Sequence, residues 1–358
     1  MKTLLIALEF PPAVGGVETY YRKLEQYWPE PLKVLTNSNN ALLSHSLPIF
    51  RWFKGFFSLV GLLRHESPDW VLAGEILPIG TIVYLASFIR KFKYGVFLHG
   101  LDFSLISHST LKQTLAKLIL AKANLVICAN HYTASQVKNK YPALQNIEVV
   151  NPGVEIHDNE AMASGAETFE KKKEEKVFNL LSVGRLVKRK GFDLTLQALA
   201  QLEVLIPKMK YTIIGDGPDK KYLEDLIREL RLGDMVSIFS NLDDIEKNKY
   251  LESCDVFIMP SRDIAGDYEG FGIVYLEAGL FGKPVIAGKS GGVSDAVQNE
   301  VTGLLVDGEK TNEIARAIIR LYNDESLRHA LGEKGRAHSL ANSWKERATT
   351  IYSLLQNR

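Results

Sequence analysis

The sequence predicts an α/β protein built as two doubly wound domains in series, and three observations carry that prediction. Its 358 residues exceed what one hydrophobic core usually organises. Short aliphatic runs alternate with stretches of helical period in two separate blocks. Between the blocks, residues 157–176 (HDNEAMASGAETFEKKKEEK) offer almost nothing to pack, so the boundary falls there and the expected domains are 1–165 and 166–342.

The first block opens with the aliphatic run TLLIAL, a Pro- and Gly-rich loop over Phe10 to Gly16, and a change of period. Val17, Tyr20, Tyr21, Leu24, Tyr27 and Trp28 then recur at helical spacing. The same grammar repeats through KVLT, WVLAG, YGVFLHG and LVICAN, with a helix over 111–123. The second block runs FNLLSVG, a helix from about 191, YTIIG, a helix over 218–231, MVSIF, a helix near 243–252, DVFIMP, a helix after Phe271, PVIAG and GLLV. From Asn312 onward three helices follow without a strand, the last at about 343–358. That helix is expected to pack back on the first domain, with Trp344 either its anchor or an ordinary core residue.

Composition narrows the function classes. A hydrophobic share of 46%, a charged share of 24% and a formal charge of +1 describe a globular chain and give no sign of a nucleic-acid partner. Cys128 and Cys254 sit beside apolar runs without metal-ligand spacing, which points to a reducing compartment, expected to be the cytoplasm. No apolar run approaches the ~20 residues of a membrane span. MKTLLIAL passes straight into the loop at residue 10 without the pattern of a cleaved leader. Charge is unevenly spread: residues 1–156 carry 15 Lys+Arg against 10 Asp+Glu, leaving 28 against 32 for the remainder, so the first block is +5 and the rest −4. A basic first domain suits an anionic acceptor or an anionic membrane surface.

Two segments carry chemistry. Val183 to Gly191 follows a strand and opens a helix, so Arg185 and Lys190 lie near an electropositive helix N-terminus and together suit a diphosphate; alone, such a turn is better explained as a solvated basic turn. Glu269 to Glu277, EGFGIVYLE, follows the strand DVFIMP and opens another helix. Gly270 and Gly272 bare the backbone N–H groups of its first turn, while Glu269 and Glu277 can accept hydrogen bonds from sugar hydroxyls. Capping accounts for Glu269 as well, and the apolar neighbours of Glu277 imply that it is buried.

These pieces stand in a known order. FPPAVGGVET at 10–19, HGLD at 99–102, NPGV at 151–154, VGRLVKRKGFD at 183–193, IIGDGP at 213–218, CDVFIMPSR at 254–262 and EGFGIVYLEAGLFGKPVIAG at 269–288, then SGGVSDAV and TGLLV, resemble the retaining nucleotide-sugar glycosyltransferases of family 4. That family has the GT-B fold, two Rossmann-like domains facing across a cleft that holds the site. The resemblance implies that Arg185 and Lys190 bind the donor diphosphate, Glu277 the ribose and Glu269 the transferred sugar. It implies further that Gly15 and Gly16 let the first helix approach the phosphate and that His99 lies beside the anomeric carbon. His99, Arg185, Lys190 and Glu269 are the implied catalytic set. Gly184, Gly215, Gly270, Phe271, Gly272 and Ile273 join the implied donor-binding set. Standing alone, His99 would read as a strand-end histidine.

The implied reaction moves a hexose from a nucleoside diphosphate sugar to a hydroxyl of a glycan or lipid-linked acceptor, a bacterial glycan-building step. Around 261–277 the chain is most similar to bacterial phosphatidylinositol mannosyltransferases, which makes GDP-mannose the first expectation for the donor. No cofactor is expected. With no Asp-x-Asp triplet in the chain, neither is a metal, because protein cations can neutralise the departing diphosphate. Asp243-Asp244 reads as a helix cap. Phe239-Ser240-Asn241 departs from a family glycine two residues after the phenylalanine, and Asn tolerates a left-handed turn better than most residues. A silent nucleotide-sugar-binding regulator and a GT-B-like epimerase are the rival readings. Residues 48–65 combine Arg51, Lys54, Arg64 and His65 with Trp52, Phe53, Phe56, Phe57, Leu59, Leu62 and Leu63. They read equally as a core helix or as a basic amphipathic helix on the inner face of the plasma membrane.

Overall fold

A computed structural model of the chain describes residues 1–10, 15–37, 40, 42–43, 52–106, 109–156 and 177–358. Two compact units emerge: Met1–Gly153 together with Trp344–Arg358, and Val154–Ser343. The expected boundary between 165 and 166 lies outside the described residues; the first unit ends at Gly153, because Val154 already bonds through its N–H to the carbonyl of Asn342.

The first unit is a six-stranded parallel sheet in the order β2-β1-β3-β4-β5-β6. Its strands are β1 (Thr3–Ala7), β2 (Leu32–Thr36), β3 (Trp70–Ala73), β4 (Lys93–Leu98), β5 (Leu125–Cys128) and β6 (Ile147–Val149). Strands β1 and β3 to β5 are wholly or almost wholly buried, as a parallel sheet covered on both faces requires. Leu4 and Ile6 join a layer with α2 (Phe53–His65), α3 (Thr81–Ala86) and α5 (Thr110–Lys122), through Leu59, Ile82 and Ile119. A short α4 (Leu101–Ser104) and α6 (His131–Lys140) complete the crossovers, α6 capped by the Asn130 side chain. The other face is covered by α1 (Gly16–Tyr27) and the last helix, α14 (Trp344–Gln356). Trp344, 2% exposed, sits 5.2 Å from the Tyr20 ring, and Trp28 lies 5.7 Å from Tyr352. Edge-to-face rings of this kind add to apolar burial and tie α14 to the first unit.

Helix α2 divides its faces. Leu59, Val60 and Leu63 are core, while Phe53 is 40% and Phe57 69% exposed. The core reading therefore holds for one face of the helix, and the other face is exposed. Arg51 lies outside the described residues.

The second unit is again six parallel strands, in the order β12-β11-β10-β7-β8-β9. They are β7 (Phe178–Val183), β8 (Met209–Ile214), β9 (Val236–Phe239), β10 (Val256–Met259), β11 (Val285–Gly288) and β12 (Gly303–Val306). Alternation along β7 and β10 sends Leu180, Val256 and Ile258 into one layer and Leu181, Phe257 and Met259 into the other. The connecting helices are α7 (Phe192–Leu202), α8 (Lys220–Glu229), α9 (Asp244–Ser253), α10 (Ile273–Leu280), α11 (Val293–Ala296), α12 (Thr311–Asn323) and α13 (Glu325–Leu340). Asp243 caps α9 in a reciprocal box with Glu246, as the sequence implied. Asn241 adopts the left-handed conformation at φ +59°, so the turn survives the missing glycine.

Candidate active site

In the second unit the strand order reverses between β7 and β10, and the loops leaving the carboxyl ends of those two strands lie side by side. That is where open α/β sheets bind ligands. After β7 the chain makes a tight helical turn, Lys188–Lys190, and stops at Gly191, φ +76°. The Arg262 N–H then bonds to the Arg189 carbonyl at 2.8 Å, which fastens this loop to the one after β10.

Glu269 is the centre of the arrangement. It is 6% exposed, and its Oε2 accepts from Lys190 Nζ at 2.5 Å and from Arg189 Nη1 at 2.8 Å, with the Ser261 hydroxyl at 3.4 Å. Burial by itself would raise this carboxyl, but the charges of Lys190 and Arg189 and their hydrogen bonds outweigh it and hold it below the usual carboxylate range. The Gly292 N–H bonds to the Glu269 carbonyl, and the Tyr275 hydroxyl donates to the Met259 carbonyl at 2.8 Å beside Ser261. Glu269 is therefore an ionised, buried, fixed acceptor.

Several sequence expectations change. Glu269 does not cap α10: that position belongs to Gly272, whose φ of +83° and closeness to the Tyr275 ring admit only glycine. Lys190 is 8% exposed and paired with Glu269, so the solvated-turn reading does not hold for it; Arg185 is exposed and has no ion pair among the described residues. Glu277 is not buried. Its side chain is 31% exposed and its Oε2 lies 3.4 Å from Lys247 Nζ, because α10 turns this position toward α9. Phe271 is core at 4% exposure, while Gly270 and Ile273 are half-buried beside it. Gly215 has a packing reason of its own, since a Cβ there would fall 1.9 Å from the Gly184 carbonyl oxygen. A Cβ at Gly15 or Gly16 would meet nothing within 4 Å, so packing does not demand those glycines.

In the first unit His99 follows β4 and lies among Tyr20, Tyr21 and Phe97. Its Nε2 is 2.6 Å from the Tyr21 hydroxyl, which in turn donates to the Gly74 carbonyl. With the one hydroxyl proton so engaged, the Tyr21 oxygen accepts Nε2–H, leaving Nδ1 as the basic nitrogen. Burial lowers the imidazole to about 4, so it is neutral at physiological pH. The His99 and Gly100 N–H groups both bond to Asp102 Oδ1, at 3.1 and 2.9 Å. Sequence reasoning missed Tyr21 and Arg189. It also missed Glu75, whose Oε1 is buried without a partner and which burial and then Asp102 and Glu9 push up to about 8. Tyr21 was counted only as a helix-face aromatic, and Arg189 stood in plain view inside the loop that carries Arg185 and Lys190.

The chain is similar to known proteins. Residues 164–338 match the model of the glycosyl transferases group 1 family. The GDP-mannose-dependent monoacylated alpha-(1-6)-phosphatidylinositol monomannoside mannosyltransferase of Corynebacterium glutamicum is 28% identical over 99% of this chain and 98% of its own. The GDP-mannose-dependent alpha-(1-6)-phosphatidylinositol monomannoside mannosyltransferase of Mycolicibacterium smegmatis is 27% identical over 99% and 98%. Among solved structures, Anabaena HepE in complex with UDP and glucose covers 100% of both chains at TM-score 0.76 and 21% identity. The sucrose-phosphate synthase of Thermosynechococcus elongatus covers 99% and 98% at 0.76 and 22%. The fold is GT-B, and the chain is a glycosyltransferase that moves a sugar from a nucleotide sugar. Its second unit carries the group 1 domain.

Proposed function

We propose that the chain transfers mannose from GDP-mannose, with retention of configuration, to a hydroxyl of a lipid-linked glycan. The observation that supports the site assignment is the pairing of Lys190 with buried Glu269 where the loops after β7 and β10 lie side by side, with exposed Arg185 in the first of those loops. The donor and acceptor class rest on similarity, over nearly the whole chain, to two mannosyltransferases named for GDP-mannose and phosphatidylinositol mannosides. Exposed Arg185 and the Lys190 ammonium are the cations for the diphosphate, and Glu277 is the acceptor for the ribose. Glu269 Oε1, which takes no hydrogen bond among the described residues, is open to a hydroxyl of the transferred sugar. Gly184, Gly215 and Gly270 to Ile273 supply close backbone.

In this reading the bond from C1 to the β-phosphate oxygen breaks and its electron pair leaves with the diphosphate. Arg185 and Lys190 stabilise the charge that develops, and no metal ion is required. The acceptor oxygen bonds to C1 from the same face, and its proton passes to the departing diphosphate oxygen. A neutral His99 with a free Nδ1 suits hydrogen bonding to the sugar without adding a charge that would oppose a cationic C1.

The exposed face of α2, with Phe53, Lys54, Phe57 and Arg64, suits contact with an anionic bilayer, as a lipid-linked acceptor requires. A thermal-shift screen of GDP-mannose, UDP-glucose and an ADP-sugar tests the donor, because a ligand bound only by the folded state raises its apparent stability. The anomeric configuration of the transfer product tests retention. Stabilisation by UDP-glucose alone overturns the GDP-mannose assignment.

A further inference from the structure

Lys190 has two claims on its ammonium. In the structure it serves Glu269 Oε2, and in the reading given above it serves a diphosphate; the inference that follows rests on that reading. A carboxylate buried to the extent of Glu269 cannot lose its counter-charge without either a large desolvation cost or the uptake of a proton. Arg189 meets this need. Its Nη1 lies 2.8 Å from the same Oε2, and its Nε lies 3.2 Å from Oδ1 of Asp267, whose side chain is 50% exposed. The guanidinium is thus held at both ends. Only 23% of its side chain is exposed, so it is screened far less than a surface ion pair.

We propose that Arg189 is a positioning residue, the resident counter-ion that keeps Glu269 ionised and fixed while the donor diphosphate draws Lys190 away. Two cations share one oxygen because only one of them stays. Arg189 itself touches neither phosphate nor sugar, and its contribution is to make diphosphate binding independent of protons.

The test is calorimetric binding of GDP and UDP to the full chain between pH 6 and pH 8.5, in buffers of differing ionisation enthalpy that report proton uptake. Wild type is expected to bind without proton uptake. Arg189→Gln is expected to bind more weakly at pH 8 and to take up a proton, so that affinity recovers by up to about tenfold per pH unit as pH falls. Arg189→Lys restores the wild-type profile. Asp267→Ala, at a half-exposed position that leaves the fold intact, loosens Arg189 and moves the profile the same way by less, which keeps the question answerable if Arg189→Gln misfolds. Weaker binding by Arg189→Gln or Asp267→Ala that is the same at every pH reduces Arg189 to a structural role and overturns the inference alone. If wild type binds neither nucleotide, or Lys190→Gln binds as well as wild type, the diphosphate reading itself falls and the inference with it.

Discussion

The Tyr21 hydroxyl stands 2.6 Å from His99 Nε2 and also donates to the Gly74 carbonyl, so one phenol fixes both the tautomer and the orientation of the imidazole. Tyr21→Phe removes both bonds and leaves buried polar atoms without partners. The expected cost is about 1–3 kcal/mol in urea unfolding, accompanied by reduced turnover. An unchanged unfolding midpoint would show that the hydroxyl holds neither group.

His99 also sets an acid limit on stability. Burial places it near 4 in the folded state against an ordinary 6.5, so the unfolded chain takes up a proton first as pH falls. Its contribution is complete above about 6.5 and is lost between there and about 4. His99→Gln is expected to flatten that part of the stability profile. The same slope in wild type and variant would contradict the assignment.

Glu75 works in the opposite direction. Burial, with the charges of Asp102 and Glu9, raises it from 4.5 to about 8, so the folded state is the better proton binder and stability declines as pH climbs through that interval. Glu75→Gln is expected to match wild type near pH 4.5 and to exceed it at pH 8.5 by about 2 kcal/mol, a figure discounted for partial exposure. Chemical denaturation at the two pH values decides the point.

Arg185→Ala and Lys190→Ala separate activity from folding. Each is expected to lower turnover by about two to three orders of magnitude, the scale of removing one prearranged donor to a charged transition state. Exposed Arg185 leaves unfolding unchanged, whereas Lys190→Ala strips Glu269 of one of its two cations and lowers the urea midpoint as well. Full activity in folded Arg185→Ala would remove it from the diphosphate site.

If side chains meet the charge of the departing diphosphate, as proposed, activity is expected to persist in excess EDTA. Loss in chelator with recovery on adding magnesium or manganese would place a metal in the reaction.

For α2, vesicle co-sedimentation is expected to rise with anionic lipid and fall with salt, as surface attraction is screened over roughly 8–10 Å at ordinary ionic strength. Phe57→Ser with Lys54→Gln and Arg64→Gln should weaken it without unfolding the chain. Equal sedimentation of wild type and triple variant at low salt would make this face an ordinary surface.

Much of this architecture was legible because parallel strands buried on both faces write themselves as short unbroken aliphatic runs. TLLIA, FNLLSV and VFIM each became a central strand. Residue types in the site were legible too, but partnerships were not. Glu269 and Lys190 are 79 positions apart, and no local pattern says that one neutralises the other. The exposure of Glu277 depends on the turn of α10 toward Lys247, a matter of helix phase that apolar neighbours in sequence do not fix. Glu75 was invisible because its perturbation comes from the enclosure around it.

The return of α14 to the first sheet has a consequence for how the protein is made. Trp344 and Tyr352, which cover Tyr20 and Trp28, are synthesised after every strand of both sheets. During translation the first unit therefore emerges with its α1 face uncovered and must wait through the whole of the second before its layer closes. Vectorial synthesis can complete Val154–Ser343 in one pass but not Met1–Gly153, so the unit that appears first is the last to be finished.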